Sequence, residues 1–575
     1  MRRTHVLALA SSFFLCTTSL AQNPRAPASV DNLPGGGGGN LATAGDVTAV
    51  VYSDAGAREL FVSTSDGRAL EWSAPVRLDI ESGLTDYLST DPIAIVDDRV
   101  YVAYADDRFG ERELFVRVYN ATSGTLGPEV RIPNGYLPGE ASTFSWDIEA
   151  EAGPGADRVY LVIAVDQPSP QIERARVVAS HDGGASFPIE YELSSADVDA
   201  AYSLEVADGV VHVAWSDNRN VSNGNDVFYQ RSTDGALTFL PNDVLLDASG
   251  PGIGDVNGIG FHLFTAPPFV VVGWAEVLGS EIEIHATISA DNGLTFGPDK
   301  RVDQAPPGAL IGFMTVAEVA DPDAGSVAVG WTDTRFGGLG ATELFAATTF
   351  DGGGSWSEAQ LSSGGILGVS PDRGSVHEAD GQTWMSFGYS GYFTGEVFSA
   401  LSLDGGATWE PPLAIEATPT AGAATFGLGA TNLLYGNRIH MWLEGSLFGA
   451  VDVQLGGYRV PTLDYVETLV PPGAHFELSG FGEVPFGAVL LSGSTGSLPV
   501  GFGDPRDLGL APDPVFFVSL GEAFGALGAS LVGGAGVTPT IPPLTPGLGL
   551  HAAALSFDLA GGVTVVEISD VQILP

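Results

Sequence analysis

The sequence predicts an all-β chain built from a repeated unit of about four short strands, and three observations carry that prediction. Short alternating or β-branched runs recur between Gly/Asp turns, and no long apolar stripe of 3.6-residue period interrupts them in 575 residues. One type of run returns at intervals of about 50–60 residues, ending in an aromatic residue, a small residue and an acid. A glycine-containing turn, S-x-D-x-G-x-x-(W/F), returns in step with it.

At the N-terminus, MRRTHVLALASSFFLCTTSLAQ follows the pattern of an export signal: Arg2 and Arg3, a short apolar stretch from Val6 to Leu15, and small residues before a cleavage expected after Ala21. The paired arginines leave general secretory and twin-arginine export both open. Residues 22–45, with Gly35 to Gly39 after Pro34, read as a Gly/Pro-rich linker. The chain is therefore expected to be secreted or at the cell surface, with no membrane span and as a monomer.

The repeats occupy residues 46–460. The acid-ended runs are VYVAYADDR at Asp106, VHVAWSDNR at Asp217 and VAVGWTDTR at Asp333, with weaker versions at Asp54, Asp166 and Glu276. A second strand starts five to ten residues later, as in RELFV at Glu113 or TELFA at Glu343, and leads into the turn. Clear copies of the turn centre on Asp182, Asp291, Asp351 and Asp404, and a near copy on Asp234 has Ala236 where glycine is usual. The Asp carboxylate and the Ser/Thr hydroxyl can bond the turn's own N–H groups, glycine supplies positive φ, and the aromatic residue anchors the turn to its sheet. These aspartates are expected to be structural. Room for four antiparallel strands in each of eight units indicates a β-propeller, with seven blades as the alternative.

The turn resembles the Asp box (bacterial neuraminidase repeat) of sialidases and related β-propellers. That resemblance covers about residues 46–460 and implies that the turns lie on the face away from the usual ligand site. Residues 461–575 break the repeat, keep only Arg506 among the arginines, and read as a separate β-sandwich-like module with strands in AHFELSGF, PVFFVSL, HAAALSFDL and VTVVEISDVQIL.

Composition narrows the chemistry. With 70 acidic and 23 basic side chains the net charge is −47, and the basic set contains a single lysine, Lys300. Clustered cations for nucleic acid or anionic membrane are lacking. The one cysteine, Cys16, falls in the export signal, so thiol chemistry and Cys-ligated metals are excluded from the processed chain.

The sialidase resemblance implies an arginine triad, a Tyr–Glu pair and an Asp acid/base. The arginines do not supply that triad. Arg99, Arg158 and Arg438 fall at the turns between first and second strands. Arg77, Arg131 and Arg301 fall in outer strands, and Arg117, Arg174, Arg176 and Arg231 in third strands. Arg108, Arg219 and Arg335 follow the repeated acids and read as Asp–Arg pairs closing turns, with convergence on an anionic ligand as the alternative. No cofactor is expected, apart from the alternative of Ca²⁺ on Asp106, Asp217 and Asp333. Residues that break the repeat, in connections leading from one unit to the next, are the better site candidates. They are Asp372, Arg373, Glu140 and Asp147 for catalysis, and Asp86, Tyr87, Tyr136, Trp146, Tyr202, Asp255 and His262 for ligand binding. Aromatics with carboxylates suit a glycan or another extracellular ligand. The expected activity is binding without a recognisable catalytic site; a glycoside hydrolase of the sialidase superfamily is the alternative.

Overall fold

The structure is a computed structural model. It describes the strands between residues 23 and 573, with side chains described chiefly from residue 40 to 362 and at scattered later positions. Residues 1–22, where the export signal is expected, fall outside the described residues. Every regular element among the described residues is a strand, and no described helix is long and apolar enough to cross a membrane. The chain divides into two compact units, one of Gln22–Arg459 and one containing Val460–Pro575.

Among the described residues of the first unit, eight antiparallel sheets follow one another along the chain. The third sheet is typical, running Ser142–Glu151, Arg158–Asp166, Glu173–Ser180 and Ile189–Glu192 in order. The fourth is Tyr202–Ala207, Val210–Asp217, Asp226–Ser232 and Val244–Leu245. The fifth is Asp255–Ala266, Phe269–Leu278, Glu281–Ser289 and Lys300–Arg301. The sixth is Ala317–Asp321, Ser326–Asp333, Glu343–Thr349 and Ser357–Gln360. The first strand of each sheet lies beside the first strand of the next, and that of the last sheet lies beside Gly36–Ala44 in the first. The first strands therefore line the inside of a closed ring, the arrangement of a propeller.

One sequence expectation fails at the start of this unit. Residues 22–45 are not a linker: Gly36–Ala44 is the inner strand of the first sheet, and Asn23–Ser29 pairs with Val451–Arg459 as the outer strand of the last. Each sheet needs a partner for its edge, and the two chain ends of this unit supply it jointly. Glycine-rich composition hid the inner strand.

Adjacent sheets pack face to face. The repeated runs place Tyr52, Tyr104, Trp215, Trp274 and Trp331 fully inside, each just before its acid. One apolar cluster fills each gap between the first and seventh sheets, as where Tyr160, Val162 and Val177 of the third sheet meet Leu204, Val213 and Trp215 of the fourth. The alternation of each strand delivers one side-chain set to each neighbouring gap.

The five glycine turns close these gaps at one rim. In each, the Ser or Thr hydroxyl donates to the Asp and accepts the N–H four residues on from itself, as with Ser289 to Asp291 at 2.7 Å and Gly293 N–H at 2.8 Å. The Asp accepts the N–H and the hydroxyl of the residue four further on; for Asp291 these come from Thr295, at 2.8 and 2.6 Å. The same set recurs at Asp182, Asp234, Asp351 and Asp404. Side-chain and backbone donors from Thr295 hold the Asp291 carboxyl down at about 2. The turn aromatics Phe187, Phe239, Phe296, Trp356 and Trp409 each pack against the cluster shared with the preceding sheet.

This wedge explains which turn positions must be glycine. Gly184, Ala236 and Gly293 are equivalent, with φ of 81°, 63° and 76°, so the backbone itself admits alanine at modest cost. A Cβ on Gly184 would touch Tyr101 of the second sheet at an ordinary 3.4 Å, whereas one on Gly293 would lie 1.9 Å from the Tyr229 hydroxyl. Gly184→Ala is expected to cost about 1 kcal/mol and Gly293→Ala at least twice that. Urea denaturation of the two variants side by side measures the difference, and equal costs would refute the wedge.

The second unit has two principal antiparallel sheets. One joins Thr462–Leu469, Pro472–Ser479 and Gly536–Val537; the other joins Gly528–Ser530, Phe486–Ser492, His551–Asp558 and Thr564–Ile568. Phe476, Leu478, Val489, Leu490 and Ala552 are buried in it. The strand expected in PVFFVSL lies outside the described residues.

Candidate functional site

The repeated acids and arginines form closed clusters. In the sixth sheet the Arg335 backbone N–H and Nε each donate to Asp333 Oδ1 at 3.0 Å, and Nη1 donates to Glu358 at 2.5 Å. The guanidinium lies 4.0 Å from the ring centre of Phe345, and Trp331 Nε1 donates to the other Asp333 oxygen at 3.3 Å. The fourth sheet repeats this with Trp215, Asp217, Arg219, Phe228 and Asp243. The second sheet repeats it with Asp106, Arg108, Phe115 and Glu129. Spacing of two residues lets each Asp fold back onto its Arg across the turn, and the planar fork of arginine serves two carboxylates at once.

These bonds dispose of two alternatives read from the sequence. Arg108, Arg219 and Arg335 are committed to their own carboxylates, so they do not converge on an anionic ligand. The oxygens of Asp106, Asp217 and Asp333 are likewise occupied by guanidinium, which leaves no Ca²⁺ ring. The second carboxylates, Glu129, Asp243 and Glu358, were missed because they stand at the start of the outer strand, some 20 residues beyond the motif.

A different group of carboxylates lies along the inner strands. Asp147 on Ser142–Glu151 reaches the neighbouring inner strand, where Leu204 N–H donates to its Oδ2 at 3.0 Å; its Oδ1 has no hydrogen-bond partner. The side chain is 6% exposed, and burial pushes its carboxyl up to about 6 against the opposing pull of the Leu204 N–H and of His262. Burial also raises Glu149 well above the carboxylate range, and the charges of Glu205 and Asp147 add to the effect. Three inner strands thus contribute: Asp147 and Glu149 from the third sheet, Glu205 from the fourth, His262 from the fifth. Strand alternation in WDIEAE puts Asp147 and Glu149 on one face, a signal present in the sequence but passed over along with Glu205.

Other candidates are placed differently from the connections expected for them. Trp146 is fully inside the core between the second and third sheets, and Tyr202 is buried between the third and fourth, so neither offers a ring face to a sugar. Tyr136 packs on the core beside Trp146, and its N–H donates to Asn134 at 3.1 Å. Exposed Glu140 caps its own turn through Leu137 N–H at 3.2 Å. Asp86 and Tyr87 lie in the short strand Thr85–Tyr87, and Asp255 opens the inner strand of the fifth sheet. Asp372 and Arg373 stand at an irregularity between Pro371 and Gly374 in the inner strand Val369–Ala379, within a sheet and not in a connection. The side chains of Asp86, Tyr87, Asp255, Asp372 and Arg373 lie outside the described residues. Among the candidates with described side chains, Trp146 and Tyr136 meet in the core, and Asp147 and His262 interact on the inner strands.

No protein-family model matches the chain, and no curated protein matches it. Among solved structures it is similar to the polysaccharide lyase Uly1, at 9% identity and TM-score 0.42, covering 76% of this chain and 99% of that one. It is similar to the Hadza microbial sialidase Hz136 at 17% identity and TM-score 0.32, over 60% of this chain and 73% of that one. The β-propeller domain of the Trilobed protease from Pyrococcus furiosus is similar at 10% identity and TM-score 0.36, over 66% of this chain and 95% of that domain. The propeller reading accordingly rests on the ring of sheets itself.

Proposed function

We propose that residues 22–459 form an eight-bladed Asp-box propeller, exported after cleavage behind Ala21, that binds an uncharged or basic glycan at the mouth of its ring. The observation that carries this reading is the carboxylate group on neighbouring inner strands. Asp147 and Glu205 give the inner strands a negative charge that repels sialate and other sugar acids, while Glu149, raised by burial, keeps a proton and can both donate to and accept from sugar hydroxyls. Among the described residues, Arg108, Arg219 and Arg335 are held by Asp and Glu in the turn clusters and so are not free for a sugar carboxylate. Residues 460–575 are then an appended β-sandwich-like module on a monomeric protein.

A second reading, glycoside hydrolysis, is favoured by one observation. Asp147 and Glu149 are both held above the usual carboxylate range, as a general acid must be to carry a proton at neutral pH. A glycan array with the full chain tests the first reading, with neutral or amino-sugar oligosaccharides expected to bind and sialosides not. Preferential sialoside binding would overturn it. Release of fluorophore from neutral aryl glycosides, lost in Asp147→Asn, would establish the second.

A further inference from the structure

The fifth sheet breaks the Asp–Arg cluster in a way that points to a metal. Glu276 occupies the place of Asp106, Asp217 and Asp333, two residues after the buried aromatic of the second strand, although here that strand continues to Leu278. Trp274 pairs across to His285, where Trp215 pairs to Phe228 and Trp331 to Phe345. Asp299 stands immediately before the outer strand, as Glu129 and Asp243 do. The arginine is missing: two residues after Glu276 the chain carries Leu278. Both carboxylates of the cluster are therefore kept, the cation is lost, and a histidine replaces the phenylalanine on which the cation would lie.

The consequences are visible in the bonding. Glu276 is 1% exposed, and neither of its oxygens has a hydrogen-bond partner. Trp274 Nε1, whose counterparts donate to the acid, has none either. Glu283, opposite Glu276 across the strands, is held on one oxygen by Arg301, which also serves Asp303 at 2.9 Å. Unless His285 carries an extra proton, Glu276 is a carboxylate buried without a counter-charge, which is strongly destabilising, so the site calls for a cation.

We propose that Glu276, Glu283 and His285 bind a divalent cation of the zinc class. His285 Nε2 lies 3.7 Å from Glu276 Oε2 and 3.3 Å from Glu283 Oε2. Ligands spaced about 3.3–3.6 Å apart are what a tetrahedral ion with bonds of about 2.0–2.2 Å requires. His285 Nδ1 lies 2.8 Å from Asp299 Oδ1. Asp299 thus holds the proton on Nδ1, turns the Nε2 lone pair toward the two glutamates and orients the ring, the carboxylate–histidine–metal arrangement. Asp299 is a further carboxylate at the site, since ligand atoms of Glu276, His285 and Asp299 all fall within 4.8 Å of one another. Imidazole with two carboxylates favours zinc over calcium or magnesium, which take oxygen alone. The ion would supply in this sheet the positive charge that arginine supplies in the second, fourth and sixth, here between the acid of the second strand and groups on the third. It is independent of the glycan reading.

The test is calorimetric titration of the chelator-treated full chain with Zn²⁺, with thermal unfolding followed in parallel. One equivalent is expected to bind and to raise Tm, and Glu276→Gln should weaken that binding at least tenfold. The double variant Leu278→Arg/His285→Phe rebuilds the arginine cluster of the other sheets. It should unfold cooperatively without metal and show neither this binding nor the Tm response. Equal Zn²⁺ binding by the wild type and Glu276→Gln, or a Tm of the wild type unmoved by Zn²⁺, would overturn the proposal. In the latter case a protonated His285 is the counter-ion.

Discussion

Replacing Arg335 with methionine is expected to destabilise the first unit by about 3–5 kcal/mol, the cost of breaking a buried ion pair by removing one partner. The size follows from what remains. Asp333 has no exposed side-chain surface and Glu358 is 11% exposed, so neither can recover its charge solvation by turning to water. Methionine keeps most of the packing volume and the contact with Phe345, which assigns the loss to charge. Arg219→Met should cost less, because Arg219 is 30% exposed and Asp243 21%; exposed pairs contribute about 0–1 kcal/mol. Adding Asp333→Asn to Arg335→Met should restore part of the stability, since it removes one of the two stranded charges. Guanidinium denaturation of the three variants measures this series. A loss below about 1 kcal/mol for Arg335→Met would mean that the cluster is not the clasp its geometry indicates.

The legible part of this molecule was the part that repeats. A tryptophan two residues before an acid and four before an arginine looked like a motif because each member contacts another: indole to carboxylate, carboxylate to guanidinium. The glycine turns were legible for the same reason, since Ser289, Asp291 and Thr295 bond one another within seven residues. Contacts across longer separations left no comparable trace. Glu358 meets Arg335 from 23 residues away, and Asn23–Ser29 meets Val451–Arg459 from the opposite end of the unit. The inner strands misled for a further reason. Several are irregular near their entry, with register shifts such as those between Thr143 and Ser145 and between Asn257 and Phe261, so residues in strands read as residues in loops. Trp146 and Tyr202 were judged by chemical type, as sugar-stacking aromatics, whereas their strand faces turn them into the core.

Asp147→Asn is expected to stabilise the protein at pH 7 and to flatten its stability profile between about pH 4 and 7. In the unfolded chain an aspartate releases its proton near pH 3.9; in the folded protein burial holds Asp147 up to about 6. Between those values the folded state binds more protons than the unfolded state, so the stability of the wild type falls as pH rises through the window. Above it the full penalty is present, about 3 kcal/mol at most for a shift of about 2 units. Asparagine has no proton to lose and can still accept the Leu204 N–H through its amide oxygen. It also removes one of the charges that raises Glu149, so the neighbouring carboxyl should ionise more easily. The expected gain is about 1–3 kcal/mol at pH 7, vanishing near pH 4 where Asp147 is protonated anyway. Tm of both proteins across that range measures it, and parallel curves would show that the carboxyl is solvated. A residue that costs stability where it stands is retained for some other reason. The same variant therefore bears on function: a more stable protein that has lost its glycan would place Asp147 at the ligand, whereas a more stable protein that still binds would move the ligand away from the inner strands.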